Sequence, residues 1–436
     1  MDQVFQFESN RAFAQRMDLE DPLRSFRADY HIPRRDGREL IYFCGNSLGL
    51  QPRAAQDRVQ DEIDRWRDLA VEGHFKGDPP WTSFHRSVEE AAATLVGAQP
   101  EEIIHMNTLS VNLHLLLASF YRPTPDRFAI IMEAGAFPSD QYVVESQVRW
   151  RGFDPQTAII EVTPEPGAVL LSPDRIRDAM ERSGKKTALV LFGGLQYFTG
   201  QVMDMAGIAK AAHDQGAYVG LDLAHAAGNV PLNLHHWGVD FAAWCTYKYL
   251  NGGPGAIGGV FIHKQYASDI RFPRLAGWYG YDPASRFLMR KGFVPSPTAE
   301  GWQLSNAPIL SFAPLRASHD IFLEAGMERL VAKRQQMGQY LLYLLDNIPK
   351  HQRHFEIISP RNPAERGAQL SLLVEYRGKE LFRFLGENGV ICDWREDNLT
   401  GTASSRGVIR VAPVPMYNTF EEVYDFAGLV ADFCSR

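Results

Sequence analysis

Cysteine is scarce in this chain, with four residues in 436. They are Cys44, Cys245, Cys392 and Cys434, which lie far apart and form no Cys-x-x-Cys pair. Zinc sites and disulfide frameworks depend on closely spaced cysteines, so the sequence predicts neither a metal site nor a disulfide scaffold. The same scarcity favours a reducing compartment, and we expect a cytoplasmic protein.

Long apolar runs and basic tracts are also missing. No apolar run approaches the length that crosses a bilayer, and the first residues lack the basic segment and apolar stretch of a secretory signal. The formal net charge is −7, which disfavours sequence-independent binding to nucleic acid. We therefore expect neither a membrane nor a nucleic-acid partner.

What the chain does have is size and regular alternation. With 45% hydrophobic residues in 436 it can bury a large core, and two domains are the default expectation. From residue 128 onward, short apolar runs alternate with helical patterns, which predicts a largely parallel α/β sheet. The predicted strands are 128–132, 157–161, 187–191, 217–221, 241–245 and 256–262. The predicted helices are 10–27, 53–68, 111–120, 141–149, 174–182, 204–214 and 317–345.

The remaining segments set the predicted domain boundaries. Residues 369–374, a helix from 379 and residues 407–411 give the end of the chain a mixed α and β character. We predict an N-terminal segment of residues 1–44 that packs on the small domain. A large domain of residues 45–310 and a smaller C-terminal domain of residues 311–436 complete the chain.

Lys248 is the most informative single residue. It lies in WCTYKYLNGGPG (244–255), with aromatic and apolar residues before it and a Gly/Pro-rich turn after it. A desolvated lysine loses its proton more readily and can attack a carbonyl. The alternative is a lysine that snorkels to the surface and anchors a loop.

Asp222 supplies a second signal at the end of the apolar strand predicted over 217–221. Ligands of open α/β sheets bind at the carboxyl ends of strands, so Asp222 and Lys248 can face one cavity. Pyridoxal phosphate (PLP) enzymes use such a pair, a lysine for the Schiff base and a carboxylate for the pyridinium nitrogen. Asp222 alone would be equally typical of a turn cap.

Two further segments offer cofactor contacts. Thr108 or Ser110 can cap the helix predicted over 111–120, and a helix N-terminus binds phosphate. In FPSD (137–140), Phe137 can stack on a planar ring and Asp140 can accept a hydrogen bond. An ordinary N-cap, a helix that opens at Pro138 and a core position for Phe137 are the alternatives.

An arginine inside an apolar strand needs a partner, and Arg410 lies in VIRVAP (408–413). A bidentate contact to the carboxylate of an amino-acid substrate would supply one, and a structural salt bridge is the alternative. Trp278, Ser305 and Asn306 lie in predicted loops that face a ligand or a partner subunit.

Six segments together resemble kynureninase. They are GNSLG (45–49), FPSD (137–140), DLAHA (222–226), TYKYLN (246–251), LSN (304–306) and IRVAP (409–413). They follow one another over nearly the whole chain. The resemblance implies a fold-type I, aminotransferase-like PLP enzyme, homodimeric with its active site at the interface. It implies hydrolysis of L-kynurenine to anthranilate and L-alanine, in tryptophan catabolism or the synthesis of NAD precursors.

The resemblance also implies residue roles. Lys248 matches the lysine that carries PLP, Asp222 the partner of the pyridinium, and Arg410 the clamp of the substrate α-carboxylate. Gly193 stands where some relatives carry a serine that contacts the cofactor, so its own contact can involve only the backbone. The other implied cofactor contacts are Leu109, Ser110, Phe137, Pro138, Ser139, Asp140, His225, Tyr247, Trp278 and Asn306, with Trp278 and Asn306 reaching across the dimer.

The implied mechanism follows from these roles. The substrate amine displaces Lys248 from the cofactor, and the freed lysine removes the α-proton. Water then adds to the side-chain ketone, the bond between the β and γ carbons breaks, and Tyr247 protonates the three-carbon product. His74, Ser305 and Asn306 offer polar contacts to the aromatic ring, which predicts that 3-hydroxykynurenine is accepted and preferred.

Three other functions remain open at this point. A PLP cysteine desulfurase of the same fold needs a reactive thiol on a mobile loop, for which Cys392 is the candidate, although its setting favours packing. A PLP-binding regulatory protein without turnover would need a DNA-binding segment or a basic face. A structural α/β protein would bind no cofactor and would not be yellow.

Overall fold

The structure, a computed structural model, describes residues 6–396 and 406–436. Contacts divide the chain into two units. The first comprises Met1–Arg53, Phe198–Val202 and Ile321–Arg436, and the second comprises Ala54–Tyr197 and Met203–Asp320. The boundaries thus lie about ten residues beyond those predicted at 44 and 310. The first five residues of the predicted N-terminal segment lie outside the described residues.

The helices and strands alternate along the chain as follows. The helices are α1 Arg11–Glu20, α2 Ala54–Leu69, α3 Glu89–Val96, α4 Leu109–Phe120, α5 Pro138–Trp150, α6 Pro155–Ala158, α7 Pro173–Ser183, α8 Met205–Asp214, α9 Leu234–Trp237, α10 Lys264–Ala267, α11 Ile309–Ala325, α12 Met327–Asp346, α13 Gly378–Glu387 and α14 Phe420–Ser435. The strands are β1 Arg34–Arg35, β2 Arg38–Glu39, β3 Ile41–Tyr42, β4 Ile103–His105, β5 Ala129–Glu133, β6 Ile159–Val162, β7 Thr187–Gly193, β8 Tyr218–Asp222, β9 Phe241–Trp244, β10 Gly259–Ile262, β11 Glu356–Ile357, β12 Leu370–Val374, β13 Val390–Ile391, β14 Asp393–Glu396 and β15 Gly407–Val411.

A seven-stranded sheet in the order β4-β10-β9-β8-β7-β5-β6 forms the centre of the second unit. Strands β6, β5, β7, β8 and β9 are parallel, and β10 runs antiparallel to both β9 and β4. The inner strands are buried along their length, which matches their continuous apolar sequence, because helices cover both faces of such sheets. The predicted largely parallel α/β fold is confirmed.

Three local predictions were wrong, each for a backbone reason. Residues 157–158 belong to the short helix α6, because Asp154 caps a turn that Pro155 begins, so strand β6 starts only at Ile159. The long helix predicted over 317–345 is two helices, since Gly326 adopts φ +75° between α11 and α12. The first helix ends at Glu20 instead of residue 27 and is followed by a 3₁₀ turn.

In the first unit, the antiparallel sheet β11-β12-β15-β14 packs in a core with α12, α13 and α14. The N-terminal helix α1 joins this core and is tied to it by charges. The Asp18 carboxylate accepts hydrogen bonds from the backbone N–H groups of Phe420 and Glu421 at the start of α14. The Lys333 ammonium lies 2.6 Å from the Asp21 carboxylate, and both side chains are buried. Among the described residues, no helix is both long and apolar enough to cross a membrane.

Candidate active site

Strand ends of the second unit's sheet bring together the two residues on which the sequence argument depends. Asp222 ends β8, and Lys248 follows the neighbouring parallel strand β9 by four residues. Both side chains line one cavity of about 230 Å³. The cavity is lined by Thr108, Leu109, Ser110, Glu133, Phe137, Ser139, Asp140, Gly193, Leu195, Tyr197, Asp222, Ala224, His225, Tyr247 and Lys248.

The Lys248 side chain is 9% exposed. Its Nζ lies 3.0 Å from Nε2 of His225, and a neutral imidazole nitrogen accepts a hydrogen bond there. The same Nζ lies 5.8 Å from the ring centroid of Phe137 and 5.9 Å from that of Tyr247. The amine thus points into an aromatic-lined cavity, and the surface-snorkelling alternative does not describe it.

Asp140 and Asp222 both line this cavity. Asp222 Oδ1 accepts a hydrogen bond from the backbone N–H of Ala224 at 2.7 Å, and the Asp222 carboxyl is hydrogen-bonded to that of Asp140. Burial, followed by the charge of Asp222, raises the pKa of Asp140 well above its usual range. Asp140 therefore holds the proton between the two, and Asp222 carries the negative charge.

Glu133 is a third carboxyl of this cavity, and the sequence argument missed it. It ends strand β5, one residue beyond the predicted end, and is 6% exposed. Burial, followed by the charge of Asp222, raises its pKa to about 8 against a hydrogen bond from the Gly193 N–H. The signal that singled out Asp222, a carboxylate at the end of an apolar strand, applied equally to Glu133.

The N-terminus of helix α4 also lines the cavity. Thr108 is the N-cap of α4, and its hydroxyl does not cap its own helix. Leu109 and Ser110 form the first turn of this helix of 12 residues. The exposed N–H groups and two hydroxyls make an anion site of the kind that phosphate groups occupy.

Three aromatic side chains, Phe137, Tyr197 and Tyr247, also line the cavity. Phe137 is 42% exposed and meets Tyr197 edge to face at 5.1 Å, so it is not a core residue. Pro138 occupies the first position of α5, and Ser139 Oγ lies 3.2 Å from Asp140 Oδ1. Burial raises the pKa of Tyr247, so its phenol stays protonated and can donate a proton.

The donors and acceptors of the cavity match pyridoxal phosphate at three points. Lys248 offers the amine, Asp222 the anionic oxygen for a ring nitrogen, and the start of α4 the site for a phosphate. The 3.0 Å contact between Lys248 and His225 adds a polar neighbour for a ring substituent. The residues present therefore fit this cofactor.

The residues predicted for the substrate ring do not line this cavity within the chain. They form a second group on the same unit, in which the Thr82 hydroxyl donates to the His74 carbonyl oxygen at 2.8 Å. The Tyr279 hydroxyl donates to the Thr82 carbonyl oxygen, and the Tyr279 N–H donates to the Leu304 carbonyl oxygen. This network places Trp278 beside Ser305 and Asn306, which are exposed.

Arg410 belongs to the first unit, on strand β15. It is 2% exposed, and its Nε and Nη2 form a bidentate ion pair with Asp393 across the β14–β15 pair. Asp393 also accepts a hydrogen bond from Ser47 Oγ at 2.8 Å and lies 3.1 Å from the Arg395 guanidinium. Arg410 thus forms a structural salt bridge with Asp393, and its binding of the substrate carboxylate remains a prediction.

No described cysteine has the setting of a reactive thiol. Cys44, Cys245 and Cys392 are buried, and Cys434 is half-buried in α14. Cys392 lies between β13 and β14, and burial raises its pKa further from the thiolate form. This setting agrees with packing and not with the mobile nucleophile of a desulfurase.

The chain is similar to known proteins over nearly its whole length. Residues 330–430 match the family model described as the kynureninase C-terminal domain. The kynureninase of Flavobacterium psychrophilum is 48% identical over 97% of this chain and 98% of its own length. The kynureninase of Xanthomonas oryzae pv. oryzae is 51% identical over 97% of each chain.

Solved structures show the same fold at low identity. The cysteine desulfurase CsdA from Escherichia coli has a TM-score of 0.76 at 17% identity, covering 95% of this chain and 98% of its own. A mutant of C-DES with glycine covalently linked to its PLP cofactor has a TM-score of 0.74 at 18% identity, covering 90% and 96%. Likeness at this identity describes the architecture alone.

Proposed function

The chain belongs to the kynureninase family, and from this premise we propose that the cavity around Lys248 is where it hydrolyses kynurenine. The protein uses pyridoxal phosphate to convert L-kynurenine and water to anthranilate and L-alanine. The observation that carries the residue assignment is the meeting of Lys248 and Asp222 in one cavity at the ends of adjacent parallel strands.

Pyridoxal phosphate supplies a carbonyl that condenses with amines and a cationic ring that withdraws electrons from the substrate's α-carbon. Lys248 would hold the cofactor through its amine and would act as the base that moves the substrate's α-proton. Asp222 keeps a proton on the ring nitrogen, because its charge favours the protonated form. Tyr247 is protonated and donates to the carbon released as alanine. The Thr108 and Ser110 hydroxyls hold the phosphate.

The substrate would be oriented by its carboxylate. Arg410 presents a planar guanidinium, which suits bidentate binding of a carboxylate. Its ion pair with Asp393 fixes the orientation of the guanidinium. Holding the substrate in this way selects which bond lies perpendicular to the ring, and positioning of this kind supplies several kcal/mol.

We also propose that the protein works as a homodimer, with Trp278 and Asn306 completing the site of the partner subunit. Exposed aromatic side chains support this proposal. Trp278 meets Phe287 at 5.5 Å and Phe287 meets Phe75 at 5.8 Å, and all three are exposed. Such a patch is typical of an interface. Light scattering should give about twice the chain mass of 49.1 kDa.

The test of the assignment is Lys248→Ala. We expect the purified variant to lose the visible absorption that wild type develops with PLP and to form no anthranilate from kynurenine. Lys210→Ala is the matched control, because Lys210 is exposed on α8 and forms an ion pair with Asp214 of its own helix. It should keep both properties, and turnover by the Lys248 variant would contradict the assignment.

The proposed cellular role follows from the chemistry. Hydrolysis of kynurenine belongs to tryptophan breakdown, and hydrolysis of its 3-hydroxy analogue leads toward NAD precursors. Four cysteines without a disulfide support a reducing compartment, and we place the protein in the cytoplasm.

A further inference from the structure

Three neighbouring strands of the second unit end at the same edge of the sheet, and two of them end in a carboxyl. Strand β7 lies between β5 and β8, and Gly193 at its end pairs with Asp222. A Cβ at Gly193 would lie 3.0 Å from Glu133 Oε1. The Glu133 carboxyl therefore lies over Gly193, in the space between its own strand and Asp222.

The Gly193 backbone fixes this position. Its N–H donates a hydrogen bond to the Glu133 carboxyl. The absence of a side chain at 193 leaves room for the carboxyl, which any larger residue would displace by a few tenths of an ångström. Glu133 is thus held at a defined place in the cavity wall and is not a side chain that happens to reach it.

The charges of the cavity cannot all be present at once. Glu133, Asp140 and Asp222 are each less than 9% exposed, and the other ionisable groups that line the cavity are Tyr197, His225, Tyr247 and Lys248. Three carboxylates against one ammonium would leave two uncompensated negative charges in a buried space, which is strongly unfavourable. Buried carboxyls in this situation share protons.

The proton distribution follows from the neighbours of each carboxyl. Burial raises the pKa of Asp222, and the Ala224 N–H, the hydrogen bond from Asp140 and the charge of Lys248 oppose that rise by stabilising its anion. Asp140 holds a proton toward Asp222, and burial raises the pKa of Glu133 to about 8. At neutral pH, two protons and one negative charge are therefore distributed over the three groups.

We propose that Glu133 is a positioning residue, a neutral third carboxyl that limits the Asp140–Asp222 pair to the single negative charge needed by the cofactor's ring nitrogen. This inference rests on the proposed function. Glu133 acts through Asp222 and touches neither substrate nor reacting atoms. When it ionises at higher pH, it adds a negative charge beside the site and stabilises neighbouring cations.

The experiment compares wild type with Glu133→Gln, in which the amide keeps the shape and still accepts the Gly193 N–H. The visible absorption of each PLP-loaded protein is followed from pH 6 to pH 10. Wild type gains a negative charge in this pH range and the variant does not. Because that charge stabilises neighbouring cations, the midpoint of the spectral change should lie at a lower pH in the variant than in wild type. We expect a shift of about half a pH unit or more. PLP affinity at pH 7 should stay within about threefold, since both side chains are then neutral.

Glu161→Gln is the matched control, because this substitution makes the same chemical change at an exposed position on the neighbouring strand β6. Its midpoint should coincide with that of wild type. If Glu133→Gln does not fold, Glu133→Ala also removes the ionisable group and should shift the midpoint in the same direction. Coincident midpoints, or PLP affinity at pH 7 weakened more than about tenfold in Glu133→Gln, would overturn the inference. Failure of wild type to absorb with PLP would overturn the proposed function as well.

Discussion

The buried carboxyl of Glu133 should make the cofactor-free protein lose stability as the pH rises. Its pKa is about 8 in the folded protein, against an ordinary value of 4.5. Between these two values the folded state binds a proton that the unfolded state has released. Stability falls with pH wherever the folded state binds more protons, so the loss begins above about pH 4.5 and is complete above about pH 8.

The size of the effect follows from the same two values. Each pKa unit corresponds to about 1.4 kcal/mol, which gives an upper bound of about 5 kcal/mol for this carboxyl. The neighbouring Asp140–Asp222 pair shares the charge, so we expect about 2 to 4 kcal/mol. The Glu133→Gln variant lacks this titration, and its advantage over wild type should grow by that amount between pH 5 and pH 9. In a unit of this size the difference corresponds to about 4 to 10 °C in Tm.

The assay is thermal unfolding of the cofactor-free proteins, followed by circular dichroism at one-unit intervals from pH 5 to pH 9. Asp140 also has a raised pKa and is present in both proteins, so its contribution cancels in the difference except for the part that depends on the charge of Glu133. Glu161→Gln serves again as the control and should follow wild type. Parallel Tm curves for wild type and Glu133→Gln would refute the reasoning, because they would show that Glu133 titrates alike in both states.

Three other outcomes test the remaining features. Lys333→Met leaves the Asp21 carboxylate buried without its ion pair and should lower the free energy of unfolding in urea by about 3–5 kcal/mol. The second substitution Asp21→Asn should restore part of this stability. A loss below about 1 kcal/mol in Lys333→Met would contradict the prediction. Arg410→Lys should raise KM for kynurenine about tenfold or more with a smaller change in kcat, and an unchanged KM would remove Arg410 as the clamp. Wild type should have a higher kcat/KM for 3-hydroxykynurenine than for kynurenine, and His74→Ala should reduce the ratio of these two values. An equal or higher kcat/KM of wild type for kynurenine would contradict the predicted preference.

The sequence predicted the parts of the site that depend on the ends of parallel strands. Lys248 and Asp222 could be paired because a carboxylate and a lysine after neighbouring apolar strands must meet at one edge of a sheet. Glu133 follows the predicted strand 128–132 just as Asp222 follows 217–221, and it was missed because the same signal was not applied to it. The β-branched residues of 157–161 suggested a strand, but Pro155 and its Asp154 cap form a helical turn first.

Other features depend on contacts that no local pattern contains. The partner of Arg410 is Asp393, and that pairing requires the register of two strands separated by residues 397–406, of which 397–405 lie outside the described residues. Likewise, the group that contains His74 and Trp278 is assembled from segments about 200 residues apart by hydrogen bonds from the Thr82 and Tyr279 hydroxyls to backbone carbonyl oxygens. Sequence alone singled out Arg410 by its place in an apolar strand and Trp278 by its place in a predicted loop, whereas His74 was identified only through the family resemblance.

The order of strands in the central sheet constrains how the protein is made. Among the described residues, β4 pairs only with β10, which leaves the ribosome about 150 residues later. At translation rates of about 5–20 residues per second, β4 waits some 8 to 30 s for its neighbour. Lys248 emerges shortly before β10, so a nascent chain gains both the last strand of this sheet and the amine proposed to hold the vitamin-derived cofactor within a few seconds. Truncated translation products ending before residue 248 should therefore never capture the vitamin, however well their earlier strands have folded.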